Sequence, residues 1–112
     1  TYDNRRVRLG IDVGVAYGSD TELVRSTLER VAEEHPDVIT EPPPNVLFTE
    51  FGDSSLNFKL LVWIGEPLAA PRISSELRFA IDGAFREAGI EIPFPQRDLH
   101  LRSGWTPAAE AV

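Results

Sequence analysis

An α+β domain, an antiparallel sheet covered on one face by two helices, is predicted by three features of this 112-residue chain. Val7, Leu9, Ile11, Val13 and Val15 alternate with Arg8, Gly10, Asp12 and Gly14, the period of two that marks a strand with one buried face. Leu56, Phe58, Leu60, Val62 and Ile64 alternate in the same way with Asn57, Lys59, Leu61 and Trp63. Between and after these runs, two segments carry apolar residues at helical spacing.

The elements follow in order. After the first strand, Ser19 and Glu22 have the capping-box form, in which hydroxyl and carboxylate satisfy each other's backbone donors, so a helix is expected from about Asp20. Its apolar stripe is Leu23, Val24, Leu28, Val31 and Ala32, with Glu22, Arg25, Glu29, Arg30 and Glu33 toward water. Pro36 ends it near His35. Asp37 to Asn45, with Pro42-Pro43-Pro44, reads as a stiff spacer. Val46 to Phe51 is a second strand, and Gly52-Asp53-Ser54-Ser55 has the chemistry of a turn into the third. Leu61 and Trp63 make that strand's outer face partly apolar, which suggests cover by another subunit. A second helix is expected from Pro71 or Arg72, with Ile73, Leu77, Ala80, Ile81, Ala84, Phe85 and Ala88 on one face. Gly89 is placed to end it in a left-handed conformation. Gly83 inside that helix costs about 1 kcal/mol relative to Ala, and close packing on the sheet is the expected compensation. Pro93 and Pro95 cannot sit in a central strand, and Leu99 and Leu101 alternate with Asp98, His100 and Arg102 in a short last strand. Strand, helix, strand, strand, helix, strand is the βαββαβ order of a ferredoxin-like sandwich. Residues 1–96 are read as the domain, 97–102 as a separate terminal strand and 103–112 as a disordered tail.

Composition excludes several classes of function. A chain of this length is one domain that buries roughly 65% of its unfolded surface. It has no cysteine, hence no disulfide, thiolate metal site or cysteine nucleophile. Its net charge of -7 and lack of a basic stretch argue against nucleic acid and against an anionic membrane surface. The longest apolar run, Leu60-Leu61-Val62-Trp63-Ile64, is far short of the ~20 residues of a membrane-spanning helix. The sequence opens on Thr1 with no apolar signal region, and a fragment of a longer chain is expected.

Catalytic patterns are weak. His35 and His100 are too few for a metal site without carboxylates, and a helix end and a terminal strand give them structural roles. Gly10, Gly14 and Gly18 repeat every four residues, but strand alternation makes them marks of bends or close backbone approach. A phosphate cradle in the first strand-helix loop, as in acylphosphatases, is opposed by Asp20, whose carboxylate competes with an anion at the helix start. Glu33 and Glu34 belong to a solvated face. No catalytic residue, metal or cofactor is expected, and the chain is not read as an enzyme.

Three segments in fixed order carry a resemblance. They are Val15-Ala16-Tyr17-Gly18-Ser19-Asp20, Gly52-Asp53-Ser54-Ser55-Leu56-Asn57-Phe58, and Gly89-Ile90 leading into Pro93-Phe94-Pro95-Gln96. With Arg6 ahead of Val13-Gly14-Val15, they resemble the C-terminal cytosolic domain of small-conductance mechanosensitive (MscS-like) channels over residues 4–102. Asp53 departs from the Gly-Ala-Ser-Ser usual in that family at this turn.

The resemblance implies a partner, namely further copies of the chain. Seven subunits would surround a tension-gated pore on the cytoplasmic side of the inner membrane, anchored by segments outside this chain. Their domains would form a cage whose openings pass ions and small osmolytes during osmotic stress, and an acidic surface would bias which solutes approach. The segment Asp98 to Arg102 would supply one strand per subunit to a small barrel. Phe94, Pro95, Leu99 and Leu101 are the expected oligomer-interface residues. The chain alone is expected to stay monomeric or to associate weakly. The alternative reading is a stand-alone regulatory module of the same fold that binds a small ligand between subunits.

Overall fold

A computed structural model describes residues 6–93. Three strands form one antiparallel sheet: β1 (Val7–Val15), β2 (Asn45–Phe51) and β3 (Leu56–Ile64), in the spatial order β1-β3-β2. Helix α1 (Thr21–Glu34) joins β1 to β2, and α2 (Ala70–Ala88) follows β3 through a short 3-10 turn at Pro67–Ala69. β1 and β2 are each antiparallel to β3 and therefore parallel to one another, with β3 between them. That is the split βαβ unit predicted from the alternation, in the ferredoxin-like α+β arrangement.

Alternation dictates the core. Leu56, Phe58, Leu60, Val62 and Ile64 are buried on one face of β3, and Ile11 and Val15 on the same face of β1. From α1 come Val24, Leu28, Val31 and Ala32, and from α2 Ile73, Leu77, Ile81, Ala84 and Phe85. Fully burying side chains of this size stabilises by about 1.5–3 kcal/mol each, which explains why the two stripes fix the helices on one face. The opposite face is half-covered by its own side chains: Leu61 and Lys59 lie over Gly10, where an added Cβ would meet Leu61 Cδ2 at 3.4 Å.

Three expectations change. The cap of α1 is Asp20, whose carboxylate accepts from the Glu22 and Leu23 amides at 3.1 and 3.2 Å, while Ser19 Oγ donates to the Ala16 carbonyl at 2.7 Å. An aspartate one residue later does the capping because Ser19 is taken into the preceding turn. Leu23 is exposed and Thr27 buried, so the stripe turns by one residue away from the reading above. Gly83 is also exposed, with nothing within 4 Å of a Cβ built on it, so no close packing on the sheet compensates it. It lies in the open groove between α1 and α2, beside Val31, Ala80 and Ala84.

Beside β1, the place of a fourth strand is entered but not filled among the described residues. The Ala16 amide donates to the Glu91 carbonyl at 2.9 Å, and Ile92 lines one groove with Ile11, Val13 and Gly14. Pro93 then has no N–H to continue a ladder. The last short strand expected at Leu99 and Leu101 lies outside the described residues, as do residues 97–102 and 103–112.

Candidate functional site

The three sequence segments singled out above meet at one end of the sheet. Val15, the last residue of β1, pairs with Leu56, and Leu56 pairs with Phe51, the last residue of β2. From β1 the chain turns at Gly18, whose φ of 93° is a left-handed value that favours glycine. This turn presents Tyr17 to the second segment, where its hydroxyl donates to the Gly52 carbonyl. The third segment reaches the same point through the Ala16–Glu91 bond.

The turn between β2 and β3 is locked by its own polar groups. Gly52 N donates to the Ser55 carbonyl at 2.8 Å, closing a tight loop. Ser55 Oγ donates to Asn57 Oδ1 at 2.7 Å, Asn57 Nδ2 donates to Glu50 Oε2 at 3.0 Å, and Thr49 Oγ1 donates to the Asn57 carbonyl at 3.0 Å. There is no space for a side chain at Gly52, where a Cβ would lie 2.7 Å from Asn57 Nδ2 and 3.0 Å from the Ser55 carbonyl. Gly14 is nearly as crowded, with Ser55 Oγ at 3.1 Å from its Cβ position. These contacts give the glycines a physical reason that spacing alone did not supply.

The end of α2 completes the junction. Gly89 has φ 76°, its amide donates to the Arg86 carbonyl, and the Ile90 amide donates to the Phe85 carbonyl at 2.9 Å. This is the left-handed helix stop anticipated for Gly89, with buried Ile90 as the apolar residue that anchors it. The chain leaving α2 is thus fixed at Ile90 and Glu91 before the proline-spaced segment begins.

His35 belongs to a second cluster, which joins the end of α1 to α2. Its side chain is 9% exposed; Nδ1 accepts from the Asp37 amide at 3.0 Å, so the proton sits on Nε2, 2.7 Å from Glu76 Oε1. Arg72 bridges Glu76 at 3.1 Å and Asp37 at 3.2 Å. The hydrogen bond from His35, with help from Arg72, holds the Glu76 carboxyl below its ordinary value. A neutral imidazole satisfies both bonds, so His35 acts here as a pin between helices and needs no positive charge. Sequence reasoning gave it a structural role but could not see Glu76, 41 positions away.

Nothing at either cluster assembles a nucleophile with a base. Among the described residues no three His, Asp or Glu side chains are grouped to hold a metal. No helix among them is long and apolar enough to cross a membrane. The amides at the start of α1 are already engaged by Asp20, in keeping with the reading that this loop is not a phosphate cradle. The expected interface residues Phe94, Pro95, Leu99 and Leu101, with His100, lie outside the described residues.

Residues 9–92 match the family described as the C-terminal domain of the mechanosensitive ion channel MscS. The chain belongs to the MscS family. It is 46% identical over 96 residues to the mechanosensitive channel MscK of Escherichia coli, covering 86% of this chain and 9% of that protein. It is 40% identical over 94 residues to an uncharacterised MscS family protein of Synechocystis, covering 84% of this chain and 31% of the relative. Among solved structures, Helicobacter pylori MscS in its closed state superposes with a TM-score of 0.78 at 34% identity, over 89% of this chain and 40% of that one. The chain therefore spans a third or less of the length of these two relatives. The family match ends at Ile92, one residue beyond Glu91 and its bond to Ala16.

Proposed function

We propose that this chain is the cytosolic, non-catalytic part of a mechanosensitive channel, one copy in a homo-heptameric cage below a tension-gated pore. The domain, read as residues 1–96, forms wall and borders the openings through which ions and small osmolytes reach the pore. Residues 97–102 supply one strand each to a closing barrel, since a short strand with alternating Leu99 and Leu101 buries little alone and loses its open edges in a ring. The parent protects cells against osmotic swelling and is anchored in the inner membrane by segments beyond this chain.

One observation carries this reading: the match to the channel's C-terminal domain runs from β1 through Ile92, across the first two segments of the junction and into the start of the third. A cage wall needs a rigid point from which the terminal strand departs, and Ile90 and Glu91 supply one. The test is patch-clamp recording of the parent protein in bacterial membranes lacking other tension-gated channels, with survival of hypo-osmotic shock as a second readout. Tension-gated currents and rescued survival are expected; a parent that gives neither overturns the proposal.

A further inference from the structure

The sheet has two unlike edges. Along β1 the chain itself lies close, through Glu91 and Ile92. Along β2 no strand pairs with the outer side among the described residues. This open edge carries two aromatic rings: Phe51 is 76% exposed and Phe48 is 42% exposed, with ring centroids 5.0 Å apart. Phe48 stacks at 4.7 Å on Phe58, which is buried, so the pair rests on the core. Both rings point to one face because the pairing slips at Thr49, where a bulge puts an extra residue between Phe48 and Glu50.

We propose that this aromatic edge receives the segment Phe94 to Arg97 of a second copy of the chain. The inference rests on the reading above for the ring of identical copies, and it names the surface through which neighbours meet. A ring requires a heterologous contact, in which two different patches of the same subunit face each other. The two edges of the sheet are such a pair.

The direction of the chain separates a neighbour from the chain's own edge. Glu91 lies beside Ala16, at the end of β1, and Ile92 lines a groove shared with Ile11, Val13 and Gly14, further back along it. The chain thus runs away from the end of the sheet that carries Phe51, and on the far side of β1. Three strand spacings, roughly 14 Å, separate it from β2. Proline at 93 and at 95 restricts the backbone against folding back.

Charge supports the same match. Two copies at -7 each repel, so the contact needs local complementarity. Exposed Asp53 lies in the turn after Phe51, and exposed Glu50, which accepts its hydrogen bond from the neutral amide of Asn57, projects from the opposite face of the same edge strand, where an extended incoming segment places every odd-spaced residue. The incoming run, Phe94-Pro95-Gln96-Arg97, offers one ring and one cation three residues apart. Ring on ring and guanidinium on carboxylate give it a partner for each feature of the edge.

The absence of native cysteine makes the test clean. Phe51→Cys and Phe94→Cys chains, mixed and oxidised at high concentration, should form mixed disulfide dimers in excess of like-with-like pairs. The double variant should give head-to-tail multimers. Arg97→Glu should lower the mixed yield severalfold, and Glu50→Arg in the partner should restore it. Internal closure of the double variant to a monomer, or mixed pairs no more frequent than like pairs, would overturn the proposal. Circular dichroism of each variant checks folding, and Phe51 is exposed enough to replace without touching the core. Channel recordings of the unsubstituted parent test the proposed function separately, so failure of one reading is distinguishable from failure of the other.

Discussion

The β1 edge and the β2 edge of one small sheet are finished in opposite ways. At β1, a tight turn, a helix stop and a buried isoleucine bring the chain back beside the strand, joined by the Ala16–Glu91 bond. At β2, a bulge holds two rings out in solvent. Aromatic exposure at an edge strand is a hazard that natural sheets usually blunt with charge or a bulge, and here both devices flank rings that stay exposed. The difference teaches that the first edge serves the stability of the single domain, whereas the second contributes little until something covers it.

Substitutions at the two edges should therefore have unequal effects on the isolated chain. Ile90→Ala removes a buried anchor at the closed edge and should cost about 2–5 kcal/mol in urea unfolding; a loss under 1 kcal/mol, roughly surface-like, would erase the distinction. Gly52→Ala forces a Cβ against Asn57 and the Ser55 carbonyl, so about 1–3 kcal/mol is expected, with the Asn57 side-chain NMR signals displaced. Asp20→Ala uncaps α1 at the same junction and should cost about 1 kcal/mol, read from the thermal midpoint.

Acidification offers a control that touches neither edge. Glu76 is held below its ordinary value of 4.5, so the stability it contributes is present above that pH and lost as pH falls through the lower folded value. Glu76→Gln should flatten the slope of stability against pH in that acidic window; an unchanged slope would remove the link through His35 and Arg72. The smallest effect belongs to the open edge: Phe51→Ser should shift unfolding by no more than about 0.5 kcal/mol. A larger loss would mean that the exposed ring already stabilises the monomer.

Much of this organisation was legible in the residues. Strict alternation in β1 and β3 predicts both strands at their observed bounds, and Pro36 and Gly89 predict where the helices stop. Periodicity works there because one face is fully buried. It fails in β2, where a reading by twos would set Phe48 and Phe51 on opposite faces. The bulge at Thr49 makes an odd interval behave as an even one, and only the partner strand reveals it. Capping was misassigned to Ser19 because two neighbouring residues can each accept, and the turn ahead of the helix decides between them. Gly83 shows the reverse error: a glycine inside a helix suggests a tight contact, yet it faces an open groove. The junction itself was visible as three conspicuous segments, but not as one place. The Tyr17–Gly52 and Ala16–Glu91 bonds span 35 and 75 positions, too far for local pattern to join them.

The tie at Glu91 also has a mechanical side. A pull on the chain beyond Pro93 meets, in series with the peptide backbone, a segment laid lengthwise against β1 and a side chain sunk into the core. Such a load reaches the Ala16–Glu91 bond first and the seat of Ile90 directly behind it. Two adjacent holds of different kinds, one polar and one apolar, thus secure the described end of the chain to the domain.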